Sequence, residues 1–391
     1  MNFDCLKKTS LWQALSALGK TMETPQGIFA WSARAKNEAE IDGTIGIAQD
    51  DDGFIAHLKM AEEWAGADVM ARVQKAKVFG YAPIEGVESL RKKWLAMSLQ
   101  SAPKLERFAS QPVVTNGITH SLAIAGRLFL QAGDTLITAD KSWENYEHIF
   151  SDVQCIRIRT FPLFHEREKF NKEGILQTCR AVAEQGKKVV LLLNFPHNQT
   201  GFMPSAEELS ALGGGLSALC RAFPDVPFVW LLDDAYEGYV YDEAGQKTSP
   251  LPQLFAALPN LTVAKMDGIS KVLLAYGYRI GFLTLFASAL GGSPWTDESL
   301  KHFRSEVGSK IGGFIRGEIS QANHHGQVLA DALMDRWDTV LAEKSRVIDM
   351  LRKRWEAYQD ALAFCSEKFG SEKVHPDPCN GGFFGYVNLA P

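Results

Sequence analysis

Apolar residues along this chain fall into two kinds of pattern. Two uninterrupted runs, Val189–Leu193 and Phe228–Leu232, are too short for helices and have no polar face, so they read as parallel strands buried on both sides. A third β-like run, Leu261–Met266, follows, and strand-like stretches at Asp134–Thr138 and Cys155–Arg159 precede them. Helical spacing governs Met60–Met70, Val87–Leu99, the stretch after Thr119 that carries Leu122, Ala125, Leu128 and Phe129, and Ser205–Phe223. Strands alternating with helices predict βαβ units, a mostly parallel sheet and an α/β fold. From Gln327 to Phe369 the chain is almost free of breakers, and Leu329, Leu333, Trp337, Leu341, Val347, Leu351, Trp355 and Leu362 recur near helical spacing. This predicts one long helix with a packing stripe, joining a large domain over residues 61–325 to a small one. The small domain is expected to draw on residues 1–60 and 326–391. The Gly213-Gly214-Gly215 run predicts a break in its helix or a family-specific loop, and it lacks the spacing of a dinucleotide fingerprint.

Composition narrows the class. At 391 residues the chain can bury a large core as two domains, and 41 basic against 46 acidic residues give a formal charge of −5, which speaks against nucleic acid as a partner. The six cysteines are scattered without a CxxC pair and read as reduced thiols. His324-His325 has no third ligand at metal-site spacing. Met1–Lys8 contains no apolar run suited to a signal peptide or membrane span, so a cytoplasmic protein with no membrane partner is expected.

Chemistry gathers where the strands end. Val189–Phe195 leads into Pro196-His197-Asn198-Gln199-Thr200-Gly201, Phe228–Leu232 into Asp233-Asp234-Ala235-Tyr236, and Leu261–Met266 into Gly268-Ile269-Ser270-Lys271, with Arg279 eight residues on. In an open α/β sheet the ligand crevice lies outside the carboxyl ends of the strands, so Asn198, Asp233, Tyr236 and Lys271 can converge there. A buried aspartate needs a partner, and a protonated pyridine nitrogen would supply one; capping of a turn is the competing reading for Asp233 and Asp234. Lys271 with Arg279 suits a Schiff base with pyridoxal phosphate, against the plainer reading of two solvated surface charges. Asn116-Gly117-Ile118-Thr119 opens a helix, where free N–H groups and the positive dipole end favour a phosphate; an ordinary N-cap is the alternative.

Together, and in this order, these segments resemble the fold-type I pyridoxal phosphate enzymes, most closely the class I aminotransferases of the aspartate and aromatic amino acid group, from about residue 28 onward. The resemblance implies a seven-stranded, mostly parallel sheet flanked by helices, a small α+β domain, and a homodimer that shares residues across its interface. It implies roles residue by residue. Gly46, in the stretch 41–53, belongs to the substrate-side loop, and Tyr81 reaches the cofactor phosphate of the neighbouring subunit. Trp143 stacks on the pyridine, Asn198 and Tyr236 hold the phenolic oxygen, and Asp233 holds the pyridine nitrogen. Lys271 forms the covalent link and then acts as general base, while Gly117, Ile118, Thr119, Ser270 and Arg279 bind phosphate. Arg316, in Ile315–Ser320, would take the distal carboxylate of aspartate or glutamate across the dimer; an exposed helix charge is the competing reading.

Three positions depart from the family pattern. Gln199 stands where proline is usual, and Gly268 where a phosphate-binding serine is frequent, leaving Ser270 and Thr119 as substitutes. The arginine that grips the α-carboxylate is expected a few dozen residues beyond the segment that Gly381–Val387 resembles, past Pro391, so either the chain is truncated, the favoured expectation, or the carboxylate is handled differently. The implied function is transfer of an amino group between an amino acid and a 2-oxo acid by a ping-pong route. A lyase or synthase on the same scaffold is the alternative, since fold and cofactor do not fix which bond breaks. A non-catalytic binding module is disfavoured by the presence of both Lys271 and Asp233.

Overall fold

A computed structural model of the chain describes residues 7, 9–15, 18, 20, 27–40, 43–44, 46–65, 78–166, 168–242 and 249–390. Helices α1 (Ser10–Ala14), α2 (Gly27–Glu38) and α3 (Lys59–Ala65) precede α4 (Glu88–Ser98). The sheet begins with β1 (Val113–Thr115), followed by α5 (Ile118–Phe129), β2 (Thr135–Ala139) and β3 (Arg157–Phe161). A small hairpin, β4 (Phe164–His165) with β5 (Lys169–Phe170), leads to α6 (Lys172–Ala183), β6 (Val189–Asn194), α7 (Ala206–Ala222) and β7 (Phe228–Asp233). Then come α8 (Pro250–Leu254), β8 (Leu261–Gly268), the one-turn α9 (Ile269–Val272) and β9 (Gly281–Ala287). The chain continues through α10 (Asp297–Glu318), α11 (His324–Met334), α12 (Trp337–Phe369) and the antiparallel pair β10 (Val374–Pro376) and β11 (Val387–Leu389).

Seven strands form one sheet in the order β1-β9-β8-β7-β6-β2-β3, with only β9 running antiparallel to its neighbours. All six residues of β6 and of β7 are buried, as their unbroken apolar runs require. The two-residue repeat of β7 sends Phe228, Trp230 and Leu232 into a core shared with α6 and α7, and Val229 and Leu231 into a core shared with α5. Each such side chain contributes about 1.5–3 kcal/mol by leaving water, so the sheet centre is a firm base for the polar residues at its ends. A third apolar cluster joins Leu90 and Trp94 of α4, Leu329 and Leu333 of α11, Val340 of α12 and the turn Ile269–Leu274 that carries Lys271.

The structure corrects three expectations. The glycine run at 213–215 does not break α7, which spans Ala206–Ala222 behind a capping box formed by Ser205 and Glu208. A Cβ at Gly213 would lie 1.9 Å from the Gln253 carbonyl oxygen, and one at Gly215 would lie 2.6 Å from Leu176, so these glycines let α8 and α6 approach closely. The stretch from Gln327 to Phe369 is two helices rather than one, because Arg336 (φ −122°, ψ 42°) leaves helical geometry between α11 and α12. The strand expected at Cys155–Arg159 begins two residues later, after Cys155 takes a left-handed φ of 57°. Of Met60–Met70, only the part up to Ala65 lies within the described residues.

Candidate active site

The carboxyl ends of β6, β7 and β8 meet the start of α5, and this junction holds most of the polar residues singled out above. Asp233, the last residue of β7, is 3% exposed. Its neighbour across the ladder is Asn194. The Asn194 amide donates to the Asp233 carbonyl at 2.7 Å, and its side-chain oxygen accepts the Asn198 N–H at 2.7 Å, which ties the 196–201 loop to the end of β7. Both carboxylate oxygens of Asp233 are held: the Tyr146 hydroxyl donates to Oδ2 at 2.6 Å and the Ala235 N–H to Oδ1 at 3.2 Å. Burial pushes the Asp233 carboxyl above its usual range, while the Tyr146 hydroxyl, the Ala235 N–H and the Lys271 charge pull the other way. Burial also holds the Tyr146 phenol well above its ordinary pKa, so it remains a donor.

Lys271 projects from the turn that follows β8. Its Nζ lies 5.2 Å from the ring centre of Tyr236 and 5.9 Å from that of Tyr276. Burial lowers its pKa, Asp233 opposes that, and Arg279 adds to it. The Tyr239 hydroxyl fixes the turn by donating to the Lys271 carbonyl at 2.7 Å.

Beside this amine three backbone segments are packed without room for side chains. Gly117, at φ 80°, caps α5, and a Cβ there would fall 2.4 Å from Arg279 Nη2. A Cβ at Gly281 would lie 2.7 Å from the Ile118 nitrogen, and one at Gly268 would lie 2.7 Å from the Ile280 carbonyl oxygen. This explains glycine at 268: a serine there would collide with the β9 backbone. Arg279, in left-handed geometry at φ 54°, donates through Nη1 to the Tyr276 carbonyl at 3.1 Å and reaches the Ser270 hydroxyl at 3.4 Å. The first N–H groups of α5, those of Ile118 and Thr119, have no acceptor within the helix. Backbone donors, a hydroxyl and a guanidinium therefore meet in one cradle whose chemistry suits a phosphate.

The cradle has its own support. His120 Nδ1 accepts the Asn116 N–H at 3.1 Å, so its other nitrogen carries the proton toward Glu318, 2.8 Å away. Burial first, and the charge of Arg127 second, lower the His120 pKa to about 4, so the ring stays neutral as this pattern demands.

The other expected residues divide. Trp143 packs edge-on against Tyr146, with ring centres 5.6 Å apart, and so stands one ring away from Asp233. Gln199, in the usual proline position, ties its loop to the Ser142 carbonyl at 3.5 Å. Gly46 packs close to the site: a Cβ there would lie 2.3 Å from Phe384, whose ring centre is 6.5 Å from that of Tyr236. Ile41, Asp42 and Ile45 of that loop lie outside the described residues. Tyr81 is 90% exposed, and Arg316 is exposed with its guanidinium on the Ser320 hydroxyl at 3.3 Å; the single chain does not bring either to Lys271. Sequence reasoning passed over Tyr146, Tyr239, Tyr276 and Phe383. Tyr146 had a signal, since it lies three residues after Trp143 on the same turn.

Among the described residues there is no cluster of metal-ligating side chains and no helix long and apolar enough to cross a membrane. His324 instead bonds the Gly80 carbonyl at 3.0 Å, and His325 packs against Trp64.

Comparison with known proteins agrees with this layout. The family model for aminotransferase class I and II matches residues 53–388. Aspartate aminotransferase of Bacillus subtilis is 27% identical over 260 residues, a match covering 66% of this chain and 61% of that protein. The chain therefore spans about three fifths of that relative. An aminotransferase of Anaerococcus prevotii superimposes with a TM-score of 0.75 at 21% identity, over 96% of this chain and 87% of that one. The aromatic-amino-acid aminotransferase of Burkholderia pseudomallei, solved covalently bound to pyridoxal phosphate, does so with a TM-score of 0.68 at 22% identity, over 92% and 85%. Both share the fold of this chain. With a family model covering most of its length and this sheet end behind it, the chain belongs to the aminotransferase class I and II family.

Proposed function

We propose that this protein is a pyridoxal phosphate-dependent aminotransferase that moves an amino group between an amino acid and a 2-oxo acid. The observation that carries the reading is the placement of Lys271. Its amine, with a lowered pKa, stands between a buried carboxylate that has no cation in contact and a cradle of phosphate-binding groups. Pyridoxal phosphate carries an aldehyde, a basic ring nitrogen and a phosphate, and the three features of the site answer these in turn. The cofactor, when bound, supplies an electron-withdrawing ring that lets the α-C–H of an amino acid ionise.

The chain's own residues do the rest. Asp233 would hold the ring nitrogen protonated, and the Tyr146 hydroxyl keeps that carboxylate oriented. Asn198 and Tyr236 would steady the phenolic oxygen, and Trp143 would cover the ring. The N–H groups of Ile118 and Thr119, with Ser270 and Arg279, hold the phosphate. Lys271 would be the amine that anchors the cofactor and that could take a proton from the substrate α-carbon; its lowered pKa raises the fraction of neutral amine near pH 7.

The same reading makes the working unit a homodimer. Phe54, Ile55, Phe79, Tyr81 and Ile84 are exposed large apolar side chains, between 42% and 90% accessible, and burial against a second copy would account for them. In that dimer Tyr81 completes the neighbour's phosphate site and Arg316 selects dicarboxylic substrates, with aspartate and glutamate as donors. Free thiols at Cys155, Cys179, Cys220, Cys365 and Cys379 support a reducing, cytoplasmic setting. The test is the absorbance of the cofactor-loaded protein as aspartate, glutamate or phenylalanine is added without an oxo acid. Loss of the resting band with appearance of the pyridoxamine phosphate band is expected, most readily with aspartate or glutamate. A band that none of the three changes would turn the assignment toward a lyase.

A further inference from the structure

Lys265 is a lysine in the middle of the sheet, in β8, and is 1% exposed. Its two-residue repeat places it on the same face as Val263 and Asp267, opposite the α5 face that receives Ala264 and Met266. Its ammonium touches three carboxylates: Asp267 at 2.5 Å, Glu237 at 2.7 Å and Asp234 at 3.2 Å. Asp267 is held in turn by the Trp94 indole N–H at 2.9 Å and the Ser98 hydroxyl at 3.2 Å, both from α4. Lys344 of α12, also buried, donates to the Glu237 carbonyl at 3.1 Å and lies 4.5 Å from the centre of the Tyr239 ring. Burial opposes the charge on Lys265, but Asp267, Glu237 and Asp234 outweigh it and hold the ammonium well above the usual lysine range.

The members of this cluster alternate with the site residues along the chain. Asp234 follows Asp233, Glu237 follows Tyr236, and Asp267 lies four residues before Lys271 on the strand that carries it. The Lys265 ammonium thus ties the turn after β7 to the end of β8, and α4 anchors the same strand from outside. We propose that Lys265 is a positioning residue: its hydrogen bonds to Glu237 and Asp267 and its ion pair with Asp234 set where Asp233 and Tyr236 stand relative to Lys271. The inference rests on the aminotransferase reading, since it concerns the alignment of that same site.

Removing Lys265 alone would leave the buried carboxylates of Asp234 and Asp267 without that cation, which threatens folding rather than testing alignment. The informative variant removes both signs together, Lys265→Met with Asp267→Asn, in the cofactor-loaded enzyme. The readouts are kcat, KM, the melting temperature and the pH midpoint of the cofactor absorbance. Misalignment predicts KM within about threefold of wild type and kcat lower by roughly tenfold to a hundredfold. It also predicts a spectral midpoint displaced by about half a unit or more, since Asp233 and Lys271 no longer face the ring as before. If the double variant does not fold, Glu237→Gln at the cluster's edge keeps a hydrogen bond to Lys265 and is expected to move kcat and the midpoint in the same sense, by about threefold and a few tenths of a unit. A folded variant with wild-type kcat and an unmoved midpoint would overturn the inference and leave the cluster purely structural. Wild-type protein that shows no cofactor band would overturn the functional reading as well, and so the two failures are told apart.

Discussion

Asp233 and Asp234 are adjacent, both nearly inaccessible, and at the same strand end, yet they live in opposite electrostatic conditions. Asp234 faces the Lys265 ammonium, 3.2 Å away, in a cluster that sets this cation among three carboxylates. Asp233, on the other face of the sheet, has a hydroxyl and an N–H but no cation in contact, and only the more distant Lys271 offsets its charge. Burial raises both carboxyls. A buried charge costs several kcal/mol unless it is compensated. On this basis Asp234, with an ammonium in contact, is part of the scaffold, and Asp233, with none in contact among the described residues, is the proposed place for a cationic group of a ligand.

The largest effect that bears on this contrast comes from the amine. Lys271→Ala is expected to cut turnover at least about 10⁴-fold while the fold persists, because it removes the covalent anchor and the base together; steady-state kinetics with a melting curve on the same sample check it. Next come the aspartates themselves. Asp233→Asn should lower kcat by roughly a hundredfold to a thousandfold through loss of the charge that holds the ring nitrogen. Asp234→Asn should cost only about threefold, since burial already favours its neutral form. Equal losses in the two variants would erase the distinction between matched and unmatched carboxylates.

Arg316 extends the comparison to a cation. Its guanidinium meets only the Ser320 hydroxyl, with no carboxylate among the described residues. Arg316→Ala is expected to lower kcat/KM for aspartate by about tenfold to a hundredfold and for phenylalanine by less than about threefold. Parallel losses for both substrates would remove its proposed role. A smaller effect than that of Asp233→Asn is expected from Tyr146→Phe. The hydroxyl lowers the Asp233 pKa, so its loss raises that pKa, and the ionised form then persists only at higher pH. The acid limb of the kcat profile should move upward in pH, with about a tenfold loss near neutrality.

Much of this was legible in the sequence because runs that must be buried announce themselves and end where chemistry can begin. The strands at Val189, Phe228 and Leu261, and the turns carrying Asn198, Asp233, Lys271 and Arg279, follow from local pattern. What stayed hidden depended on partners distant in sequence. Lys265 reads as a lone polar residue in a strand until Glu237 and Asp267 are seen to close on it. Tyr146 acquires meaning from Asp233, 87 positions away. Gly213 and Gly215 read as breakers, yet the space they leave is filled by Gln253 and Leu176 rather than by a kink. Gly268 reads as a lost phosphate contact, and the Ile280 carbonyl shows why no side chain fits there. Tyr81 and Arg316 illustrate the remaining limit, since their proposed partners belong to a second copy of the chain.

The central claim is that the unmatched side of this sheet end, not the matched one, holds the reactive amine. Reduction of the cofactor-loaded protein with borohydride, followed by digestion and mass spectrometry, tests it directly. The account predicts a pyridoxyl adduct on Lys271, with Lys265 and Lys344 unmodified. An adduct on either of those buried lysines, or none on Lys271, would contradict it.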